Sequence, residues 1–353
     1  MPLLHRIAGD RHFGRAGHLV LFLLIIVAAS ACQTAEDGAT NSGPITLAND
    51  ESSSGLVPLA LPTLTPLQRP PDRPLQVVAT TSIIGDVVAH VGGDATSLTT
   101  LMAAGQDPHS YEPSTGDLTK VAESDLIFVN GWQLEEALLD DLTNIAVEAP
   151  IVPISANITP LLPAGEAHEH GAVDPHVWLD PQLVTQWVHN VQDVLSDLDP
   201  ANAPVYAANA AAYLKELAAL DDDMVQQLSQ IPPASRKLVT NHDSLTYFAH
   251  RFDFEIVGAV IPAPSTVAEP SAQQLAALVQ KMREENVCTI FAETTASPRL
   301  AETVAAELTT CDTVDVLLLH TGALGPPGSG ASSYTEMMRT NTDTIVRGLE
   351  TGD

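Results

Sequence analysis

The chain has 353 residues, enough for two domains, and 45% of them are hydrophobic, enough to build real cores. Lysine and arginine total 15 against 44 aspartates and glutamates, a formal charge of −29. Such a surface repels phosphate backbones, so nucleic acid is excluded as an expected partner, while the sign suits a cation.

Arg6, Arg11 and Arg15 precede an unbroken apolar run over residues 19–29, followed by Ala29-Ser30-Ala31 and Cys32. The run has the length of a signal-peptide core and is too short to span a bilayer comfortably. Residues 1–31 are therefore expected to be a signal peptide. Small residues before Cys32 resemble the lipobox of bacterial lipoproteins, which implies a lipid on Cys32 and a location outside the cytoplasm at the membrane surface. Residues 32–73 are first polar and aperiodic, then proline-rich, and are expected to be a flexible tether. Export also makes Cys288 and Cys311 an even pair in an oxidising space, candidates for a disulfide.

The globular pattern begins near residue 74. Residues 77–80 read as a buried strand. A helix capped by Thr81 or Ser82 follows, stopped by Gly92-Gly93. Residues 98–102 suggest a short strand, 115–123 a helix and 126–129 a strand ended by Asn130-Gly131. Tyr206, Ala210, Tyr213, Leu217, Leu220, Met224 and Leu228 then recur at helical spacing, one apolar stripe on a long helix closed by Pro232-Pro233. Beyond it the alternation restarts: strands at 237–240, 254–260, 289–292 and 314–319, with helices from His242-Asp243-Ser244, over 271–286, from Ser297-Pro298 and over 334–349. Strands alternating with helices predict parallel βαβ units. The expected architecture is α/β: an N-terminal lobe (74–200), a linking helix (201–231) and a C-terminal lobe (232–353).

Three histidines stand in similar settings. His109 lies in Asp107-Pro108-His109, His176 in Asp174-Pro175-His176, and His242 in Asn241-His242-Asp243 directly after a predicted strand. Proline stiffens the backbone just before the imidazole, and ligands of open α/β sheets bind beyond the carboxyl ends of strands. With His109 in one lobe, His242 in the other and His176 before the long helix, a metal held by all three would sit between the lobes. Three neutral imidazoles suit zinc, and copper or nickel would accept them too. Asp107, Asp174 and Asp243 are candidates to accept the remaining ring N–H groups. His168-Glu169-His170 reads as a metal-collecting loop or as a solvated loop.

At these motifs the chain resembles the zinc/manganese family of ABC-importer solute-binding proteins, from about residue 75 to the C-terminus. The resemblance is carried by Gly105 through Pro113, by Asp174 through Pro181, and by Asn241-His242-Asp243. It extends to Ile290-Phe291-Ala292-Glu293, to Leu324 through Gly328, and to Tyr334 with Met337-Met338-Arg339. It implies two α/β lobes with parallel sheets bridged by one long rigid helix, and metal ligation by His109, His176 and His242. It further implies a monomeric receptor delivering metal to the permease and ATPase subunits of an importer. Manganese-type members often carry a carboxylate where His242 stands, so the resemblance favours zinc over manganese. Where members commonly place a metal-binding aspartate, this chain has Gly322, which leaves water, His320 or Glu293 for the fourth position; Glu293 otherwise reads as a capping or supporting residue. No His-Glu-x-x-His helix, nucleophile elbow or phosphate loop is present, so catalysis is not expected. A zinc-dependent hydrolase, or an adhesin with a structural metal, stands as the alternative.

Overall fold

Eight short strands form two parallel four-stranded sheets in the computed structural model, which describes residues 56–70, 73–146, 148–164 and 173–350. The apolar run at 19–29, Cys32, His168 and His170 lie outside the described residues. Among the described residues no helix is long and apolar enough to cross a membrane.

The first sheet contains β1 (Leu75–Ala79), β2 (Thr96–Thr100), β3 (Leu126–Val129) and β4 (Ile151–Pro153), in the order β2-β1-β3-β4. The second contains β5 (Lys237–His242), β6 (Glu255–Ile261), β7 (Thr289–Glu293) and β8 (Asp315–Leu319), in the order β6-β5-β7-β8. The central strands are buried from end to end, as β3 (LIFV) and β7 (TIFAE) show, because helices cover both faces of a parallel sheet. Both sheets repeat one topology, with a switch point between the first and third strands in chain order. There the crossovers diverge and leave a crevice at the strands' carboxyl ends.

Helix α1 (Ser82–Gly92) begins where Thr81 Oγ1 accepts from Ile84 N, as its sequence predicts, and α2 (Thr115–Ala122) opens on a Ser114/Asp117 capping box. Helices α3 (Glu136–Ile145) and α4 (Pro181–Leu198) complete the first lobe. Helix α5 (Ala203–Leu228) has 26 residues and is about 39 Å long. Its buried residues are the seven of the predicted stripe. It packs on α1 and α4 of the first lobe and on α9 (Tyr334–Glu350) of the second. The second lobe also holds α6 (Thr246–Phe252), α7 (Ala272–Glu285) and α8 (Arg299–Glu307). One apolar core runs without a break from Val77 and Phe128 through α4 and α5 to Leu238, Phe291 and Met338. Two satellite cores fill the far faces of the sheets. A shared core resists changes in lobe angle because its packing is close to crystalline.

Three expectations shift. The strand expected at 98–102 is Thr96–Thr100; residues 101 and 102 lie past its end, where they still donate to Ala79 O and Thr80 O. The helix expected to open at His242 begins at Thr246, and His242 is the last residue of β5, held in the ladder opposite Ile261. The flexible tether expected to reach residue 73 is interrupted: residues 56–70 lie on the body, where Leu61, Leu64 and Leu67 pack against the main core.

Cys288 and Cys311 are joined in a disulfide, with Cα atoms 5.9 Å apart across 23 residues. Closing a loop of that length restricts the unfolded chain, so Cys288→Ser with Cys311→Ser is expected to cost about 3 kcal/mol in chemical denaturation. Unchanged stability under reducing conditions would refute a bond at this position.

Candidate metal centre

Each Asp-Pro-His tripeptide folds into the same device. Asp107 Oδ1 accepts from His109 N at 3.0 Å, and Asp174 Oδ1 accepts from His176 N at 2.8 Å. The aspartate thus closes an Asx turn two residues on, and the intervening proline sets its φ. The turn at His109 stands in the loop that leaves the carboxyl end of β2, and the turn at His176 precedes α4. His242 ends β5 itself, at the second lobe's switch point.

These positions bring three rings together. His109 Nε2 lies 3.2 Å from His176 Nε2, and His242 Nε2 lies 3.1 Å from the same atom. His176 and His242 are 1% exposed and His109 is 9% exposed. Zinc–nitrogen bonds of about 2.0–2.1 Å in a tetrahedron place neighbouring nitrogens about 3.3 Å apart, close to the spacing seen.

The opposite side of two rings is tied to carboxylates. His176 Nδ1 is 2.7 Å from Asp174 Oδ1, and His242 Nδ1 contacts Glu293 Oε1. An ionised carboxylate only accepts, so each Nδ1 carries a proton, and Nε2 is the nitrogen that offers its lone pair to a metal when the ring is neutral. Two lone pairs facing each other at 3.1 Å repel unless a cation or a proton lies between them. Glu293 reaches His242 because β5 and β7 pair in parallel with Thr240 opposite Phe291, which sets residue 293 beside residue 242. Its contact with a ring is therefore legible only once the strand register is known.

Burial and charge act unequally on the three rings. His109 is pushed down to about 3 by burial, reinforced by the other two rings, and burial holds His176 well below the usual range. Burial disfavours a charged His242 too, yet the Glu293 carboxylate overrides it and raises the ring. Glu293 resists the upward push of burial and falls to about 2 through its contact with His242. Burial lifts Asp174 to about 7.

Among the described residues these three histidines are the only cluster of His, Cys, Asp and Glu donors arranged to hold a metal ion. His320 is not part of it; its Nδ1 lies 3.2 Å from Thr294 Oγ1 at the end of β8. Glu293 is engaged with His242 Nδ1 and supports the ring. At Gly322 a Cβ would meet Thr295 Oγ1 at 3.1 Å and Pro108 Cδ at 3.3 Å, so the side chains of Thr295 and Pro108 crowd the space a longer side chain would take. Of the three aspartates expected to support the rings, Asp174 does so. Asp107 binds the His109 backbone and then crosses the seam, accepting from Thr266 Oγ1 at 2.6 Å. The Nδ1 of His242 is met by Glu293 and not by Asp243.

Sequence reading did not single out the posts that fix the seam. Trp178 Nε1 donates to Thr321 O at 2.8 Å, Tyr334 OH to Trp178 O at 2.7 Å, and Tyr247 OH to Asp174 O at 3.0 Å. Trp178 and Tyr334 lay inside quoted motifs, but nothing in one sequence shows that their polar tips cross between lobes.

Two parallel α/β lobes joined by one long helix, with a buried donor cluster at their seam, define the architecture of a metal-type solute-binding protein. The chain belongs to the family described as zinc-uptake complex component A, periplasmic, whose model matches residues 77–348. This is the family of substrate-binding lipoproteins of metal ABC transporters. The chain is 34% identical over 276 residues to the manganese-binding lipoprotein MntA of Halalkalibacterium halodurans, covering 78% of this chain and 88% of that one. Among solved structures it is similar to the periplasmic zinc binding protein TroA from Treponema pallidum, with a TM-score of 0.72 and 28% identity over 78% of this chain and 99% of that one. It is also similar to a manganese-bound periplasmic metal binding protein from Candidatus Liberibacter asiaticus, with a TM-score of 0.70, 28% identity and the same coverage.

Proposed function

We propose that this chain is an extracytoplasmic receptor, anchored by a lipid on Cys32, that captures zinc through His109, His176 and His242 and delivers it to the permease and ATPase of an ABC importer. The observation that carries the reading is the convergence of three buried Nε2 atoms with no carboxylate oxygen among them. Imidazole suits zinc, whereas manganese favours carboxylate, carbonyl and water oxygens. Manganese is the second reading, favoured by the relative named for manganese and by the manganese-bound neighbour. Protein purified without added metal from cells grown with both ions separates the two by elemental analysis. Zinc near one per chain supports the proposal, and manganese in its place overturns it. Binding without turnover is the reading that the matched family of solute-binding proteins supports.

The site is buried, and the lobes share one core, so entry and exit require the loops over the seam to move. Asp107 and Thr266 make a direct side-chain bond across that rim. A hydrogen bond to a charged acceptor contributes about 1.5–3 kcal/mol, so Thr266→Val is expected to speed zinc release into a chelator by about tenfold or more. Stopped-flow rates equal to those of the unmodified protein would show that the latch does not control exit.

A further inference from the structure

Residues 56–70 (LVPLALPTLTPLQRP) lack helix and strand yet are fixed to the first lobe at both ends. At one end Asn157 N donates to Leu59 O at 2.8 Å, and the Leu59 side chain sits so close to Gly131 that a Cβ there would lie 2.6 Å from it. At the other end Leu67 N donates to Leu198 O at 3.0 Å, and Arg69 pairs with the buried Asp199, which also accepts from Tyr206 OH and Asn202 Nδ2. Between them Leu61, Leu64 and Leu67 pack on the main core. Their spacing of three matches the turn of a polyproline helix, which puts them on one face and suits a segment with proline at 58, 62, 66 and 70.

The two ends mark opposite poles of the lobe. Gly131 and Asn157 follow the carboxyl ends of β3 and β4, the pole that carries the His109 loop; Asn130 Nδ2 there donates to Pro175 O, next to His176. Leu198 and Asp199 end α4, whose first residue, Pro181, lies just beyond that site. Eighteen helical residues span about 27 Å. The eight steps from Leu59 to Leu67 span up to about 25 Å at polyproline rise, and the segment runs beside the second half of α4, from Leu198 to the level of Asn190, which accepts from Asn157 Nδ2 at 3.2 Å.

We infer that residues 56–70 are an orienting strap: they make the preceding chain join the body at the metal-bearing pole, so that an anchor at Cys32 turns the mouth of the site toward the membrane. The inference rests on the proposed anchoring through Cys32. It leaves residues 33–55, rather than 33–73, as the spacer between lipid and body. Without the strap the chain would join at Leu75, the start of β1 and the opposite pole, and the same anchor would turn the mouth outward.

The test couples the chain from Cys32 onward, through that thiol, to maleimide-lipid vesicles, so the outcome does not depend on native lipidation. A fluorescent noncanonical residue replaces the exposed Glu112 near the site or the exposed Asp197 near the end of α4, and energy transfer to a headgroup dye is read. Transfer is expected to be stronger from position 112 than from 197. Leu61→Asn with Leu64→Asn and Leu67→Asn is expected to abolish or reverse that difference while zinc affinity in solution stays unchanged. Equal transfer from both positions in the parent chain, or a difference that survives the triple substitution, would overturn the strap. Native lipidation is read separately, from the mass of the N-terminal peptide, so its failure is distinguishable from failure of the strap.

Discussion

Alanine at His242 is expected to weaken zinc binding by more than about 100-fold, beyond the loss typical when only a supporting partner of a metal ligand is removed. His109 and His176 both precede α5, and His242 is the sole converging donor that the second lobe supplies. Its loss leaves two imidazoles on one side of the seam. The measurement is zinc titration against a competing chelator, with His168→Ala as the control, which is expected to retain nearly all affinity. Equal losses in the two variants would identify the histidine loop as the principal site. A second effect must be separated from the first. Glu293 is 3% exposed and is tied to His242, so removing the ring leaves a buried carboxylate without its partner. Breaking a buried pair in this way costs about 3–5 kcal/mol of stability. His242→Ala combined with Glu293→Ala should therefore recover stability without recovering zinc. If the double variant regained affinity, the single variant's loss would be one of folding and not of ligation.

How far the sequence could be read depended on whether the information was local. The long helix was visible because its stripe of seven buried residues repeats at helical spacing within α5 itself. His109 and His176 were visible because an Asx turn is built from an aspartate and the backbone two residues on, so motif and geometry share one tripeptide. Helix α3 and strand β4 carried too little signal: β4 has three residues, and neither a cap nor a period announces α3. Glu293 and Thr266 mark the other limit. Their partners lie 51 and 159 residues away, fixed by strand register in one case and by the meeting of two lobes in the other. The docked segment was missed for a related reason. Proline-rich composition says that the chain will not form helix or sheet, but not that a surface elsewhere is shaped to receive it.

Acidification is expected to weaken zinc binding by about tenfold per pH unit below about pH 6.5 and down to pH 5, the slope of a single displaced proton. Three ordinary imidazoles would give a steeper fall, because each titrates near 6.5. Here His109, pushed down to about 3, and His176, held well below its usual range, are already neutral across that window. Burial disfavours the charged form of His242 but Glu293 raises it, so it keeps a proton below its ordinary value of 6.5, and that proton must leave before Nε2 can bind metal. Stability of the metal-free protein carries the opposite sign for the two kinds of ring. His109 and His176 take up protons in the unfolded chain near 6.5 but not in the folded one, so their contribution falls as pH drops below 6.5. His242 contributes below 6.5 and loses its contribution as pH rises through its raised value. Glu293, lowered to about 2, contributes above its ordinary value of 4.5 and loses that contribution only as pH falls toward 2. Asp174, lifted to about 7 by burial, acts in the same sense as His242 and offsets the two lowered rings, so the stability of the metal-free protein is expected to change little between pH 5 and pH 7. Zinc titration and denaturation at both pH values read the two effects. An affinity independent of pH would rule out imidazole ligation, and a slope near three protons would show that the rings are not held apart by their surroundings. On the proposed ligation, a single exchangeable proton on His242 would make release answerable to one local event: whatever restores that proton would detach the ion from the second lobe while the other two donors stay in place.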